Sequence, residues 1–325
     1  MAAQPKPPCV TTSVTGSPAV RAAFSQLIDY AGLFPPAKLD MTPAVQEYLT
    51  ARAGVFAWML GRFIVPASRI PELLASLPAD AEPVALSVII DAGVDVGGWI
   101  SSVQATLSDL AALGDRERRI RIEALEIALP PLATQRDTYD APIGQFSAAL
   151  RQAGFTGVPA FVELPYDERW NAELDAALSA LSRYKLGGKL RCGGVTAEAF
   201  PSIETVCTYL WKAAGDYRLP FKATAGLHHP VRHFDAQTGA MMHGFLNVLG
   251  AAALARLGRD TQAGARVVAC ENAQAFAFDD TGMTCVGERV GLSELRSTRT
   301  QAFVAYGSCS FSEPTSDLQA LGMLR

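Results

Sequence analysis

Two lysines stand at matching places in this chain, Lys189 in "GGKLRCGG" and Lys222 in "PFKATAGL", 33 positions apart. Each belongs to a short apolar run, small residues follow it, and a helix-like stretch comes next. Two ammonium groups held a few Å apart disfavour each other's charged form, and partial burial adds to the effect. A lysine that has lost its proton can attack a carbonyl and form a Schiff base. The resulting iminium draws electrons, so that a neighbouring carbon becomes acidic or a β-bond can break. The glycines and alanines after each lysine are expected to keep the wall low for an approaching substrate.

Such chemistry also needs a carboxylate to move protons. Glu126 in "ALEIALP", Glu163 in "FVELP" and Asp29 in "LIDYAGL" all fall in or near apolar runs. Glu123 and Glu126 are an odd number of residues apart, so on a strand only one of them faces a given side. Glu126, nearer the end of its run, is the one expected to face inward. Arg191 shares a side of its strand with Lys189 and could hold a carboxylate or phosphate. Its structural alternative is an ion pair with Glu163.

All four histidines, His228, His229, His233 and His243, fall within sixteen residues. His229 and His233 have i, i+4 spacing, which on a helix would suit a metal. Pro230 argues against a helix through that pair, and hydrogen bonding of substrate by His228 or His229 is the preferred role.

These residues must be positioned by the elements around them. Apolar runs of four to eight residues alternate with helix-like segments of ten to fifteen, a pattern that predicts a parallel sheet buried on both faces. Seven or eight such units over roughly 240 residues fit an α/β protein of the (β/α)8 TIM-type barrel class. No Gly-x-Gly-x-x-Gly follows the first run, so a dinucleotide-binding open sheet has no positive support. In a parallel barrel the active site lies at the C-terminal ends of the strands, which places Lys189 and Lys222 on neighbouring strands six and seven. The division expected is a flexible arm over 1–20, the barrel over 21–258 and a C-terminal extension packed on it over 259–325. The run "GFLNVLGAAALARLG" (244–258) reads either as strand then helix or as helix throughout.

Composition narrows the function further. The chain has 325 residues, 49% of them hydrophobic and 18% charged, as expected of a chain with a sizeable core. A net charge of −4 without a basic block gives no footprint for nucleic acid or an anionic membrane surface. No apolar stretch is long enough to span a membrane, and the start has no secretory pattern. Six cysteines at 9, 192, 207, 270, 285 and 309 form neither a Cys-x-x-Cys pair nor a disulfide framework. The expectation is a reduced, cytoplasmic protein acting on a small molecule, without an organic cofactor or a metal, and with homo-oligomer formation open.

With lysines and strands placed, the chain resembles the class I aldolase barrels, nearest to deoxyribose-phosphate aldolase, over about 25–230. "LIDYAGLFPPAKLDMTPAVQEYL" resembles that family's first strand and following helix, with Asp29 as its aspartate. "ALEIALP" resembles the strand of the proton-relay aspartate, with Glu126 in that place, and "FVELP" resembles the next. The resemblance implies that Lys189 is the Schiff-base nucleophile and Lys222 the second lysine that tunes it. A small carbonyl compound, a sugar or 2-oxo acid derivative, is the implied substrate, with Arg191, His228, His229 and Glu163 binding it. Two other readings stand beside this one. One is a metal-dependent hydrolase or isomerase built on the His228–His243 cluster. The other is a barrel that binds without catalysing.

Overall fold

A computed structural model describes residues 16–93, 97–114, 116–132, 134, 137–165 and 168–324. Eight parallel strands form a closed barrel. Seven of them come in chain order: β1 (Ile28–Tyr30), β2 (Leu60–Pro66), β3 (Val84–Ile89), β4 (Ile120–Ala128), β5 (Ala160–Glu163), β6 (Gly187–Arg191) and β7 (Phe221–Thr224). Helices α1 (Pro18–Phe24), α2 (Met41–Ala53), α3 (Ile70–Ser76), α4 (Trp99–Gly114), α5 (Asp140–Gln152), α6 (Trp170–Tyr184) and α7 (Ile203–Leu210) precede, link or follow them.

Burial follows the helical repeat. On α4 the buried side chains are Trp99, Val103, Leu107 and Leu110, a single stripe turned to the barrel. The ends follow local chemistry. Ser202 accepts from Thr205 N at 3.1 Å to start α7, and Gly154 takes a left-handed φ of 82° just past α5. Helix α2 starts behind Asp40, and the hydroxyl of Thr42 in its first turn meets Ser76 at 3.2 Å.

The eighth strand is not where the domain division put it. After β7 the chain makes a hairpin, β8 (His233–Asp235) with β9 (Ala240–Met242), and then α8 (Phe245–Arg256) and α9 (Thr261–Ala269). Next comes an antiparallel sheet of β10 (Phe276–Phe278), β11 (Gly282–Cys285) and β12 (Glu288–Gly291), followed by α10 (Leu292–Gln301). Only then does β13 (Phe303–Ser308) enter the barrel between β7 and β1, before the last helix, α11 (Ser312–Ala320). The barrel therefore runs to Ser308 and does not end at 258. The segment expected to be an extension supplies its closing strand.

The run over 244–258 is a helix, buried from Phe245 to Ala255 on every side. An all-round apolar helix lacks the stripe that separates helix from strand, which is why both readings fitted it. The expected N-terminal arm lies outside the described residues up to 15. Its last part, from Pro18, is already α1, with Ala19 and Val20 buried.

Candidate active site

Strand register brings the two lysines together. Lys189 pairs with Lys222 between β6 and β7, and Glu163 pairs with Lys189 between β5 and β6. Inside the barrel these residues join a chain of alternating charge. Asp29 Oδ2 lies 2.6 Å from Lys222 Nζ, which also binds Glu126 Oε1. The other Glu126 oxygen is 3.0 Å from Lys189 Nζ, and Lys189 is 3.0 Å from Glu163 Oε2. Glu163 Oε1 then takes Arg191 Nη2 at 2.6 Å and Nε at 2.7 Å. The ion pair with Glu163 considered for Arg191 is thus present. Side-chain exposure rises along the series, from 1% at Lys222 through 9% at Lys189 to 41% at Arg191, so Lys189 is the lysine nearer solvent.

The alternation decides the charge state. Burial alone would push Lys189 down, but Glu126 and Glu163 outweigh it and hold the ammonium above its ordinary range. Burial likewise raises Glu126 and Glu163, and the cations win again. Lys222 and Lys189 keep Glu126 well below the usual carboxylate range, and Lys189 with Arg191 lower Glu163. The expected mechanism of activation is corrected here. Lys222 does not lower Lys189 by like-charge proximity, because the Glu126 carboxylate lies between the two and binds both.

Glu126 is the inward member of its pair. Between β3 and β4 the register slips, Leu86 facing Ile122 and Ser87 facing Ala124, so Glu123 sits in a bulge. It turns toward Arg121 at 3.2 Å and Arg62 at 3.7 Å, away from the lysines.

Three participants were not picked out from sequence. Ser87 Oγ binds Glu126 Oε1 at 2.6 Å and Lys222 Nζ at 2.9 Å, and is fully buried. The Arg62 backbone N–H donates to Asp29 Oδ1 at 2.7 Å. The ring of Phe161 has its centroid 5.8 Å from Lys222 Nζ. Ser87 was the legible one, a lone hydroxyl in the apolar run "VALSVII".

The histidines do not join this chain. His229 Nδ1 meets Asp317 Oδ2 at 2.6 Å, and His228 Nδ1 lies 3.3 Å from Glu313 Oε2 and 3.7 Å from Cys309 Sγ. These contacts tie the segment after β7 to α11 at the C-terminal end of the barrel. Burial lowers the pKa of His228 despite Glu313. His233 opens β8 with its ring edge-on to His229 at 4.5 Å, so no helix carries the pair. His243 is buried elsewhere, with Nε2 at 2.8 Å from the Pro201 carbonyl. Among the described residues, no three His, Cys, Asp or Glu side chains converge as a metal-binding group.

The glycines after the lysines stand at close backbone approaches. A Cβ on Gly193 would lie 2.5 Å from Phe200 Cε1 and 3.1 Å from the Gly226 Cα. They let the segments after β6 and β7 pack on each other.

Together these elements define a TIM-type (β/α)8 barrel whose interior holds a paired-lysine, paired-glutamate cluster. No family model matches the chain, and no curated protein matches it. Among the described residues no helix is long and apolar enough to cross a membrane.

Proposed function

We propose that the protein is a Schiff-base-forming lyase of the class I aldolase type, acting on a small carbonyl compound of the sugar or 2-oxo acid kind. The observation that carries this reading is the pair of lysines in register on adjacent strands with one glutamate bound to both.

Lys189 is the nucleophile because it is the lysine nearer solvent. In the resting site Glu126 and Glu163 hold it charged. The proton moves to one of these carboxylates only as substrate enters and disturbs their pairing, and the freed amine then attacks the carbonyl carbon. The carbonyl oxygen, protonated in turn, leaves as water and an iminium remains on the Lys189 nitrogen. That iminium carries the same positive charge at the same place as the resting ammonium, so the two glutamates that favour one favour the other. Cleavage of the β-bond then sends an electron pair into the iminium while Glu126 moves the proton. Lys222, bound in turn by Asp29, holds Glu126 in position and keeps it ionised, ready to accept a proton. Arg191 exchanges its Glu163 partner for an acidic group of the substrate, and His228 and His229, which follow β7 and pair with Glu313 and Asp317, bind its polar end.

The test is reduction with borohydride in the presence of a panel of small aldehydes, ketones and 2-oxo acids, with the adduct located by peptide mass spectrometry. The expected result is an adduct on Lys189 that is lost in Lys189→Ala. An adduct confined to Lys222 would reverse the lysine roles. No adduct with any carbonyl would remove the Schiff-base reading.

A further inference from the structure

The opposite end of the barrel holds a cavity of about 640 Å³ at the strand starts. Its floor is apolar, formed by Phe161, Pro159, Pro220 and Val304. Its charged lining is entirely cationic among the described residues: Arg21, Arg62, Lys185, Arg296 and Arg299.

Two of these cations are already committed. Arg299 is buried and donates to the backbone carbonyls of Ala23 at 2.7 Å, Ser25 at 3.0 Å and Phe303. Arg62 lies 3.8 Å from Asp29 and 3.7 Å from Glu123. The other three, Arg21, Lys185 and Arg296, form no ion pair among the described residues. They come from three separate elements, α1, the end of α6 and α10. Lys185 is placed there by a left-handed backbone at φ 57°, which turns the chain from α6 into β6. Arg21 is braced with its guanidinium 4.1 Å from the centre of the Trp58 ring.

Cations converging on a concave, partly apolar wall raise the local potential, and on a protein of net charge −4 this is a local feature rather than general basicity. A volume of this size exceeds that of a bare phosphate and lies within the range of small-molecule sites. The hydroxyls of Ser25 and Thr300 on the lining already donate to the Arg21 and Arg296 carbonyls, so the cations are the donors the cavity offers.

We propose that this cavity is a binding site for a small organic phosphate of two or more negative charges. Arg21, Lys185 and Arg296 grip the phosphates, and the organic part lies on the Phe161 floor. The site is separate from the lysine cluster and independent of the chemistry assigned there. The two ends are linked, however, because Phe161 forms this floor and also lies under Lys222.

The experiment is calorimetric titration of the full chain with pyrophosphate and with adenosine 5′-diphosphate, against sulfate at matched ionic strength. The expected result is saturable binding, tighter for the diphosphate with an organic body. Lys185→Glu and Arg296→Glu each weaken it at least about tenfold, the size of one lost charged hydrogen-bonding partner. Arg191→Gln, at the other end of the barrel, leaves Kd unchanged. Lys185→Gln and Arg296→Gln carry the same test should a charge reversal fail to fold. Binding no stronger than to sulfate, binding indifferent to the Lys185 and Arg296 changes, or binding lost in Arg191→Gln would each overturn the proposal.

Discussion

Replacing Glu126 by glutamine keeps its shape and removes the charge that Lys189 and Lys222 share. Breaking a buried ion pair from one side leaves an uncompensated charge, so Glu126→Gln is expected to lower stability by about 3–5 kcal/mol, measured by urea unfolding at neutral pH. The pH dependence has a definite sign. Glu126 and Glu163 have folded-state pKa values depressed below their ordinary 4.5, so their contribution is present above about pH 4.5 and is lost as pH falls. Lys189 is raised above its ordinary 10.5, so its contribution is present below about pH 10.5 and is lost as pH rises through the folded value. The urea midpoint should therefore decline on both flanks, and the gap between wild type and Glu126→Gln should narrow below about pH 4.5. At this scale the sequence was informative about residue types. Paired lysines and inward carboxylates could be read from the apolar runs; parity allowed only one of Glu123 and Glu126 to face inward, and Glu126 was chosen as the one nearer the end of its run. Their mutual charge states could not be read, because these depend on which carboxylate oxygen lies between which two ammonium groups.

The elements that hold those side chains depend on a few close approaches. Gly187 opens β6 opposite Phe161, and a Cβ there would come within 2.5 Å of Phe161 Cδ1 and 2.9 Å of the Pro220 carbonyl oxygen. The carbonyl belongs to backbone at the start of a neighbouring strand and cannot swing aside. Gly187→Ala is expected to cost about 1–3 kcal/mol by overpacking, read as a lower melting temperature. It should also displace the Phe161 ring beneath Lys222, detectable as a shift of aromatic resonances. Strands β2 to β7 were legible as apolar runs punctuated by helices with a single buried stripe. The slip in β4 was not, because a bulge is set by its pairing with β3. Ser87 could have been found as the lone hydroxyl in a buried run. The α11 partners of His228 and His229 lie 85 and 88 positions away in sequence, beyond any local pattern.

Across the whole molecule, closure depends on β13, which joins β7 to β1 after an excursion over 225–302 that builds two smaller sheets and three helices. The sequence pattern counted units correctly but looked for the eighth strand in the next apolar run, which is the buried helix α8. A chain cut before Phe303 should lose cooperative unfolding and aggregate, measured by circular dichroism and light scattering, because β1 and β7 would both present open edges. The same geometry bears on how the protein is made. Translation at about 5–20 residues per second leaves the seven-stranded sheet open for several seconds while 225–302 is synthesised. During that interval the two bare margins carry Asp29 and Lys222, and inward-pointing charges on an edge discourage pairing with a stranger. The ion pair that later forms across the closed seam is thus divided, during synthesis, between two unjoined edges, where each half guards its own strand.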